Sequence, residues 1–513
     1  SIDNFLSSFS KILPITNNEI SYYKKKYKVH NKNLPFVLDK NLNWNEFSRL
    51  NYVIHNIQGA QPFMSYERTY MHPNEFAHIL GYVSTPNQKD LNQIGTNYAD
   101  VPNLKVGKIG LEKNSNKSLL GTPGSAIYEV NAFGKRVKNV EKIDGINGSR
   151  IKTSIDKDIQ IYAYQQLKEK SGSVVVMNMY GRVLCCVSSP SYDPNKFTYG
   201  ISYKDYDVLK KNEKKPLVNK AMTTTYPPAS TFKMIVALSA LENKIITKNF
   251  RHTCKGKVDL YEQRYHCWKE KGHGRVNLKR AIKESCDIYF YEVARLLGID
   301  RLQKTAFRFG LGDYVFQDFF EEAKGLVPST SWKREALGKS WYLGETMISG
   351  IGQGYIKTTN VQLCKMIAQF ANGGYQINAS FFDSSDLALG KKIIEDDEHI
   401  ELILKSLFEA TNHPGGTSYR SRIAGAMKLA GKTGTAQVRK ISESQREQDL
   451  KNKDLPWKFR DHSLFTGYGP ADNPKYAISV IIEHGGSGSA VAAPIARNIM
   501  AKIFEKERKL NNV

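Results

Sequence analysis

Tyr226-Pro227-Pro228-Ala229-Ser230-Thr231-Phe232-Lys233-Met234-Ile235-Val236-Ala237-Leu238 is the stretch on which the reading of this chain turns. Its two prolines force an extended approach and end any helix before them. The run after Lys233 is apolar on nearly every side, which marks a buried helix. Ser230 then stands at the mouth of that helix, where unpaired N–H groups and the positive dipole end favour developing negative charge. Lys233, three residues on, shares its face. A serine hydroxyl is a weak nucleophile without a base beside it, and a lysine whose pKa falls on burial can be that base. Ser-x-x-Lys alone is a weak signal. Ser8 to Lys11 and Ser149 to Lys152 also match it, and neither opens an apolar helix.

Outward from this stretch, Ser173-Val174-Val175-Val176-Met177 and Val183 to Val187 read as a hairpin of two buried strands around the turn at Tyr180-Gly181. Ser154 is the expected cap of a helix from about Ile155 to Lys168. Tyr476 to Ile482 reads as another strand, and Ala490 to Glu505 as a closing helix. Strands early and late around a helical middle predict one large α/β (α+β) domain whose sheet is built from both ends. A turn-rich linker at Asp144-Gly145-Ile146-Asn147-Gly148 sets the boundary, giving domains 1–148 and 149–513. The first is polar and Asn-rich and is expected to hold few helices and several short strands or loops. Residues Ser442 to Lys453 are charged and are expected to form a mobile loop. There is no internal repeat.

The 513 residues suggest two to four domains at about 150 each. Hydrophobic residues at 41% and charged residues at 24% are ordinary globular values, which excludes wholesale disorder, collagen-like repeats and a small disulfide scaffold. The net charge of +24 favours anionic surroundings, whether nucleic acid, lipid headgroups or a phosphate-bearing substrate. No helix-turn-helix, zinc-finger spacing or ribonucleoprotein motif accompanies it, so nucleic acid is not an expected partner. No apolar run approaches the roughly 20 residues needed to span a bilayer. The chain begins at Ser1 rather than Met, so a leader or anchor removed upstream is an expectation.

Two further segments complete the chemistry. Ser285-Cys286-Asp287 follows a helical stretch and precedes the aromatic run Ile288-Tyr289-Phe290-Tyr291; taken alone it reads as a surface cap. Lys432-Thr433-Gly434-Thr435 lies in a strand rich in small residues, which lets a ligand approach the backbone, and a lysine with two hydroxyls suits a carboxylate. The order Ser-x-x-Lys, Ser-x-Asp, Lys-Thr-Gly resembles the penicillin-recognising serine enzymes. Val187 to Asn195, Gly350-Ile351-Gly352-Gln353-Gly354-Tyr355 and Gly431 to Gln437 resemble a class B penicillin-binding transpeptidase. Gly110-Leu111-Glu112-Lys113 and Glu129 to Lys135 resemble the N-terminal pedestal of its elongation-type subgroup, the penicillin-binding protein 2 group. The likeness covers nearly the whole chain.

That resemblance implies a central antiparallel sheet flanked by helices, with an N-terminal α+β pedestal. It implies that Ser230 attacks the penultimate D-alanine carbonyl of a peptidoglycan stem peptide and that Lys233 takes the serine proton. Ser285 and Lys432 would relay a proton to the leaving amine. Lys432, Thr433 and Thr435, with Gly434 between them, would hold the terminal carboxylate, and the N–H groups of Ser230 and Thr435 would form an oxyanion hole. β-Lactams are the implied inhibitors. A SEDS-type glycosyltransferase and a rod-shape scaffold protein are the implied partners, since no glycosyltransferase motif is visible. One N-terminal anchor in the inner membrane and a periplasmic catalytic domain are also implied. The Arg-Gly…Asp-Arg-x-Gly segment that opens the family's pedestal is not seen, so its first strand or two are expected to be incomplete. Asp287 stands where the commoner family pattern has Asn, which leaves its part in positioning substrate open. A class A β-lactamase would carry a Glu with Asn four residues later, and no such pair lies between Ile288 and Ala430.

Of the six cysteines, Cys185, Cys186 and Cys364 lie in apolar or helical runs and read as buried small hydrophobes. Cys254, Cys267 and Cys286 join His273 as three soft sulfurs and an imidazole, a set that tetrahedral zinc takes. Some elongation-type relatives bind zinc in this region. A Cys254–Cys267 disulfide and free buried thiols are the alternatives, and His252 and His266 are alternative imidazoles. Zinc would be structural, pinning the second motif through Cys286; no organic cofactor is expected.

Overall fold

The computed structural model describes residues 2–30, 36–38, 42–57, 60–61, 67–98, 101, 103–132, 136–198, 200–260, 263–316, 319, 321–383, 387–439 and 452–511. The quoted stretch 133–135 and residues 442–451 of the charged segment lie outside them; Asn452–Asp454 form a 3-10 turn. The chain divides into two compact units, Ser1–Arg150 with Asp193–Asp207, and Ile151–Tyr192 with Val208–Val513.

The first unit is more helical than its composition suggests. It contains α1 (Ile2–Ser10), α2 (Asn17–Val29), α3 (Trp44–Val53), α4 (Pro73–Leu80), β1 (Val83–Ser84), α5 (Gln88–Ile94), β2 (Val106–Gly107), α6 (Gly110–Asn114) and α7 (Asn116–Leu119). The ribbon β3 (Ser125–Val130) and β4 (Arg136–Ile143) follows, and the returning segment carries α9 (Pro194–Thr198). The expectation of few helices fails because the asparagines that read as loop residues are helix starts. Asn43 and Asn87 accept from Glu46 N and Asp90 N, and Thr16 from Glu19 N, each completing a capping box. Phe9, Leu13, Leu50 and Ile57 form a small core. Glu112 is buried and bridged by Arg68 Nε at 2.8 Å and Tyr70 Oη at 3.3 Å. Asn195 clasps the Tyr70 backbone through both amide atoms. Every side chain of β3 is exposed.

The second unit is built on a five-stranded antiparallel sheet in the order β11-β12-β13-β5-β6. Its strands are β5 (Gly172–Asn178), β6 (Val183–Ser189), β11 (Ala430–Ala436), β12 (His462–Gly469) and β13 (Tyr476–Ile482). Early and late strands meet where β13 pairs with β5, Val480 opposite Val174. On one face Val174, Val176, Cys185, Val187, Ile478 and Val480 pack against α8 (Lys157–Gln166) and the final helix α19 (Ala492–Asn511). Each such side chain contributes about 1.5–3 kcal/mol of burial. On the other lies α17 (Asn360–Ala371), buried at every residue, whose Cys364 Sγ reaches Val175 O. Helix α8 starts two residues later than its periodicity suggests. Asp156, not Ser154, accepts from the N–H groups of Asp158 and Ile159, while Ser154 Oγ donates to Val183 O.

Between these strands run α10 (Tyr203–Lys211), α11 (Lys233–Glu242), β7 (Arg251–Cys254), β8 (Lys257–Leu260), β9 (Gln263–His266), β10 (Gly274–Asn277), α12 (Leu278–Lys283), α13 (Asp287–Leu297), α14 (Ile299–Arg308), α15 (Thr330–Leu337), α16 (Leu343–Ser349) and α18 (Asp397–Asn412). Among the described residues no helix is long and apolar enough to cross a membrane.

Candidate active site and cysteine cluster

Ser230 lies on a 3-10 turn, Ala229–Phe232, that leads into α11, and it is half-buried while Thr231 and Lys233 are fully buried. The turn is strained: Ala229 has φ +49, a left-handed conformation uncommon for a residue with a Cβ. Its N–H is held by Gly352 O at 2.8 Å. Gly352 itself has φ +69, and a Cβ there would lie 2.2 Å from Ala229 O. The glycine-rich segment 350–354 is therefore the backing on which the serine turn rests. Next to it in the chain, Tyr355 Oη reaches Glu345, which is ion-paired to Lys333, 2% exposed and capped by the Tyr342 ring at 4.5 Å.

Lys233 Nζ turns from the helix mouth into the second motif. It donates to Asp287 Oδ1 at 2.7 Å, Ser285 O at 3.0 Å and Ser285 Oγ at 3.2 Å, and lies 5.4 Å from the Phe290 ring centroid. Ser285 joins α12 to α13 with φ +56, which aims both its oxygens at Lys233. Asp287 is the first residue of α13, where the helix dipole favours its carboxylate.

The third motif is the edge strand β11, paired to β12 with Lys432 opposite Thr466. Gly434 lets this strand approach the serine turn: a Cβ there would lie 3.3 Å from Pro228 O and from Thr231 Cγ2. Lys432 is fully buried, and its Nζ donates to Thr433 O at 3.1 Å. Burial, reinforced by the Lys233 charge and opposed by Asp287, holds its pKa well below the usual lysine range. Thr433 Oγ1 donates to Thr417 Oγ1, while the exposed Thr435 hydroxyl accepts from Gly488 N–H. Gln353 Nε2 reaches Thr435 O at 3.3 Å, tying β11 to the glycine-rich segment. The first two motifs thus meet at Lys233, and the third packs against the serine turn at Gly434.

The four soft donors also converge. β7 pairs with β10 and β8 with β9, so Cys254 at the end of β7, Cys267 after β9, His273 before β10 and Cys286 at the cap of α13 bring their ligand atoms within 4.8 Å of one another. All four residues are buried, and the cysteines are free thiols. His273 Nδ1 lies 3.6 Å from Cys254 Sγ and 3.5 Å from Cys267 Sγ; its Nε2 is buried without a hydrogen-bond partner. A hydrogen bond from Cys286 holds Cys267 below the usual thiol range, and the same contact pushes Cys286 up. Donor type, burial and convergence fit a soft divalent metal.

Sequence reasoning missed three residues here. Trp268 donates its backbone N–H to Asp287 Oδ2 at 2.9 Å and its indole N–H to Ser285 O at 3.1 Å. Gln353 and Gly488 both contact Thr435. A single Trp in a loop carries no periodic signal by which it could be found, and Gln353 stood out only as part of the resembling stretch 350–355. Gly352 and Gly488 were findable only as glycines standing where backbones nearly touch.

The profile described as the penicillin binding protein transpeptidase domain matches residues 172–501, and that of the penicillin-binding protein dimerisation domain matches residues 2–153. The peptidoglycan D,D-transpeptidase MrdA of Salmonella typhimurium strain LT2 is 33% identical over 527 residues, covering 99% of this chain and 84% of the relative. The structure of a complex between PBP2 and MreC from Helicobacter pylori is similar with TM-score 0.84 and 29% identity, covering 98% of this chain and 91% of that one. Pseudomonas aeruginosa PBP2 in complex with WCK 5153 has TM-score 0.73 and 35% identity, over 86% of this chain and 92% of that one.

Proposed function

The chain belongs to the penicillin-binding protein transpeptidase family, and from that premise we propose how its cleft works. It is a peptidoglycan D,D-transpeptidase that uses a serine acyl-enzyme. Ser230 Oγ attacks the carbonyl carbon of the penultimate D-alanine, and its proton passes to Lys233. Ser285 Oγ, 3.2 Å from Lys233 Nζ, carries a proton toward the nitrogen of the departing D-alanine as the C–N bond breaks. Lys432, kept short of protons by burial, completes that relay. Thr435 accepts from Gly488 N–H, so its own hydroxyl proton is free for the substrate's terminal carboxylate, with Thr433 beside it. The amine of a neighbouring stem peptide then attacks the acyl-enzyme and regenerates Ser230. The single observation that carries this reading is the contact of Lys233 with Ser285 and Asp287 at the mouth of α11.

Cys254, Cys267, His273 and Cys286 would hold a zinc ion, which supplies a structural cross-link and no reaction chemistry. Because Cys286 sits between Ser285 and Asp287, chelation is expected to lower the melting temperature and slow acylation together. Unchanged values for both after the metal is stripped would refute this part. The first unit we read as the pedestal, residues 1–148, docking a rod-shape scaffold protein, and the catalytic domain as residues 149–513. A relative's complex with MreC supports the docking. A SEDS-type glycosyltransferase would supply the glycan strands. The catalytic unit would face the periplasm from an inner-membrane anchor.

Intact-mass measurement after incubation with a penicillin tests the reading. One adduct per chain that persists for tens of minutes and is absent in Ser230→Ala is expected. Rapid turnover of the drug would favour a β-lactamase instead.

A further inference from the structure

Trp268 is 60% exposed, yet both of its N–H groups are engaged, and both engage the second motif. Its backbone N–H takes Asp287 Oδ2, which leaves Oδ1 as the oxygen facing Lys233 Nζ. Its indole N–H is shared between Glu284 O and Ser285 O, each at 3.1 Å. Ser285 O is the same atom that accepts from Lys233 at 3.0 Å. The indole packs edge-on against His273, centroids 5.5 Å apart, so the ring has one firm wall and one wet face.

These bonds meet at a strained point. Ser285 has φ +56, a conformation that is strained for a residue with a Cβ and persists only where its surroundings over-determine it. Its N–H and that of Cys286 are tied to Ile282 O and Ala281 O at the end of α12, which fixes the incoming side of the peptide. The outgoing carbonyl has two donors, Lys233 and Trp268. Lys233 must break and remake contacts as it moves a proton, so it cannot also be the fixed restraint. The indole does not titrate and lies against a rigid cluster.

We propose that Trp268 is a positioning residue: its indole N–H holds the Ser285 carbonyl, and with it the Ser285 hydroxyl, in place while Lys233 exchanges protons. This rests on the acyl-enzyme reading above. It makes the loop after β9 part of the acylation apparatus, although Trp268 touches none of the reacting atoms.

The test uses two replacements in the full chain. Trp268→Phe removes the N–H and keeps a ring against His273. Incorporation of 3-benzothienylalanine at 268 keeps the bicyclic shape and removes only the donor, which guards against a simple packing defect. Stopped-flow acylation by a fluorescent penicillin separates the acylation rate constant from the non-covalent dissociation constant. Loss of the bond is expected to lower the rate constant about tenfold in both proteins, as one hydrogen bond of ordinary worth would. The dissociation constant should change less than about twofold, and melting temperature and bound metal should be unchanged in the benzothienyl protein. An unchanged rate constant in that protein would overturn the proposal, and so would a weakened dissociation constant with an unchanged rate, which would make Trp268 a ligand contact. If the unaltered protein fails to acylate, the acyl-enzyme reading falls instead, so the two failures are distinguishable.

Discussion

Two fully buried lysines, Lys233 and Lys432, belong to the first and third motifs, and the protein treats them differently. At the mouth of α11, Lys233 meets a carboxylate, a hydroxyl and a carbonyl. On β11, Lys432 donates to the carbonyl of its neighbour, and burial drives its pKa down against the pull of Asp287. The α13 side balances charge, whereas the sheet side excludes it. His462, opposite Ala436 at the far end of the β11–β12 pairing, follows the same rule. Burial, with help from His484 and Lys357, lowers its pKa to about 3, and its Nδ1 accepts the His484 N–H, a bond only the neutral ring can make.

Substitutions should expose the asymmetry. Asp287→Leu removes the carboxylate paired with buried Lys233, and should cost about 3–5 kcal/mol by denaturant or thermal unfolding while abolishing acylation. Lys432→Met replaces a buried amine that has no ion pair within reach among the described residues by an apolar side chain of similar length. It should leave stability equal or higher, yet slow acylation by about a hundredfold or more. If both variants destabilise alike, the two walls are not different in kind.

Gly352→Ala probes the backing shared by the two sides. Its Cβ would meet Ala229 O at 2.2 Å in a left-handed conformation, so a loss of about 2–3 kcal/mol and a slower Ser230 are expected, read by melting and by acylation rate. The smallest effect is a pH response of the sheet side. The unfolded chain binds a proton at His462 near pH 6.5 and the folded chain does so only near 3. Stability is therefore complete above 6.5 and falls as pH drops between those values. From pH 7 to pH 5 the loss should be about 2 kcal/mol, and His462→Gln should flatten it. A profile unchanged by that substitution would show that His462 titrates normally.

Much of the cleft was legible because its chemistry concentrates in short motifs at helix and strand ends. Lys233, Ser285 and Asp287 are adjacent in space and were all visible in the chain. So was the sheet joining early and late strands, since Val174 to Met177 and Ile478 to Ile482 are apolar on both faces. The helices of the first unit were hidden because Asn43 and Asn87 serve equally well in loops and as caps, and only the N–H groups they satisfy distinguish the two. The start of α8 slipped from Ser154 to Asp156 for the same reason: two capping residues stand two apart, and strand β6 claims the first. Left-handed Ala229 and Ser285 could not be read, because neither is a glycine and the strain is imposed by tertiary contacts.

The central claim is that Ser230, and no other hydroxyl, meets the acyl group. Tryptic mapping of the penicillin-labelled chain tests it most directly, since cleavage after Lys220 and Lys233 isolates residues 221–233. The account predicts the whole adduct mass on that peptide, at Ser230. An adduct on the peptide bearing Ser285 or on a threonine of β11 would contradict it.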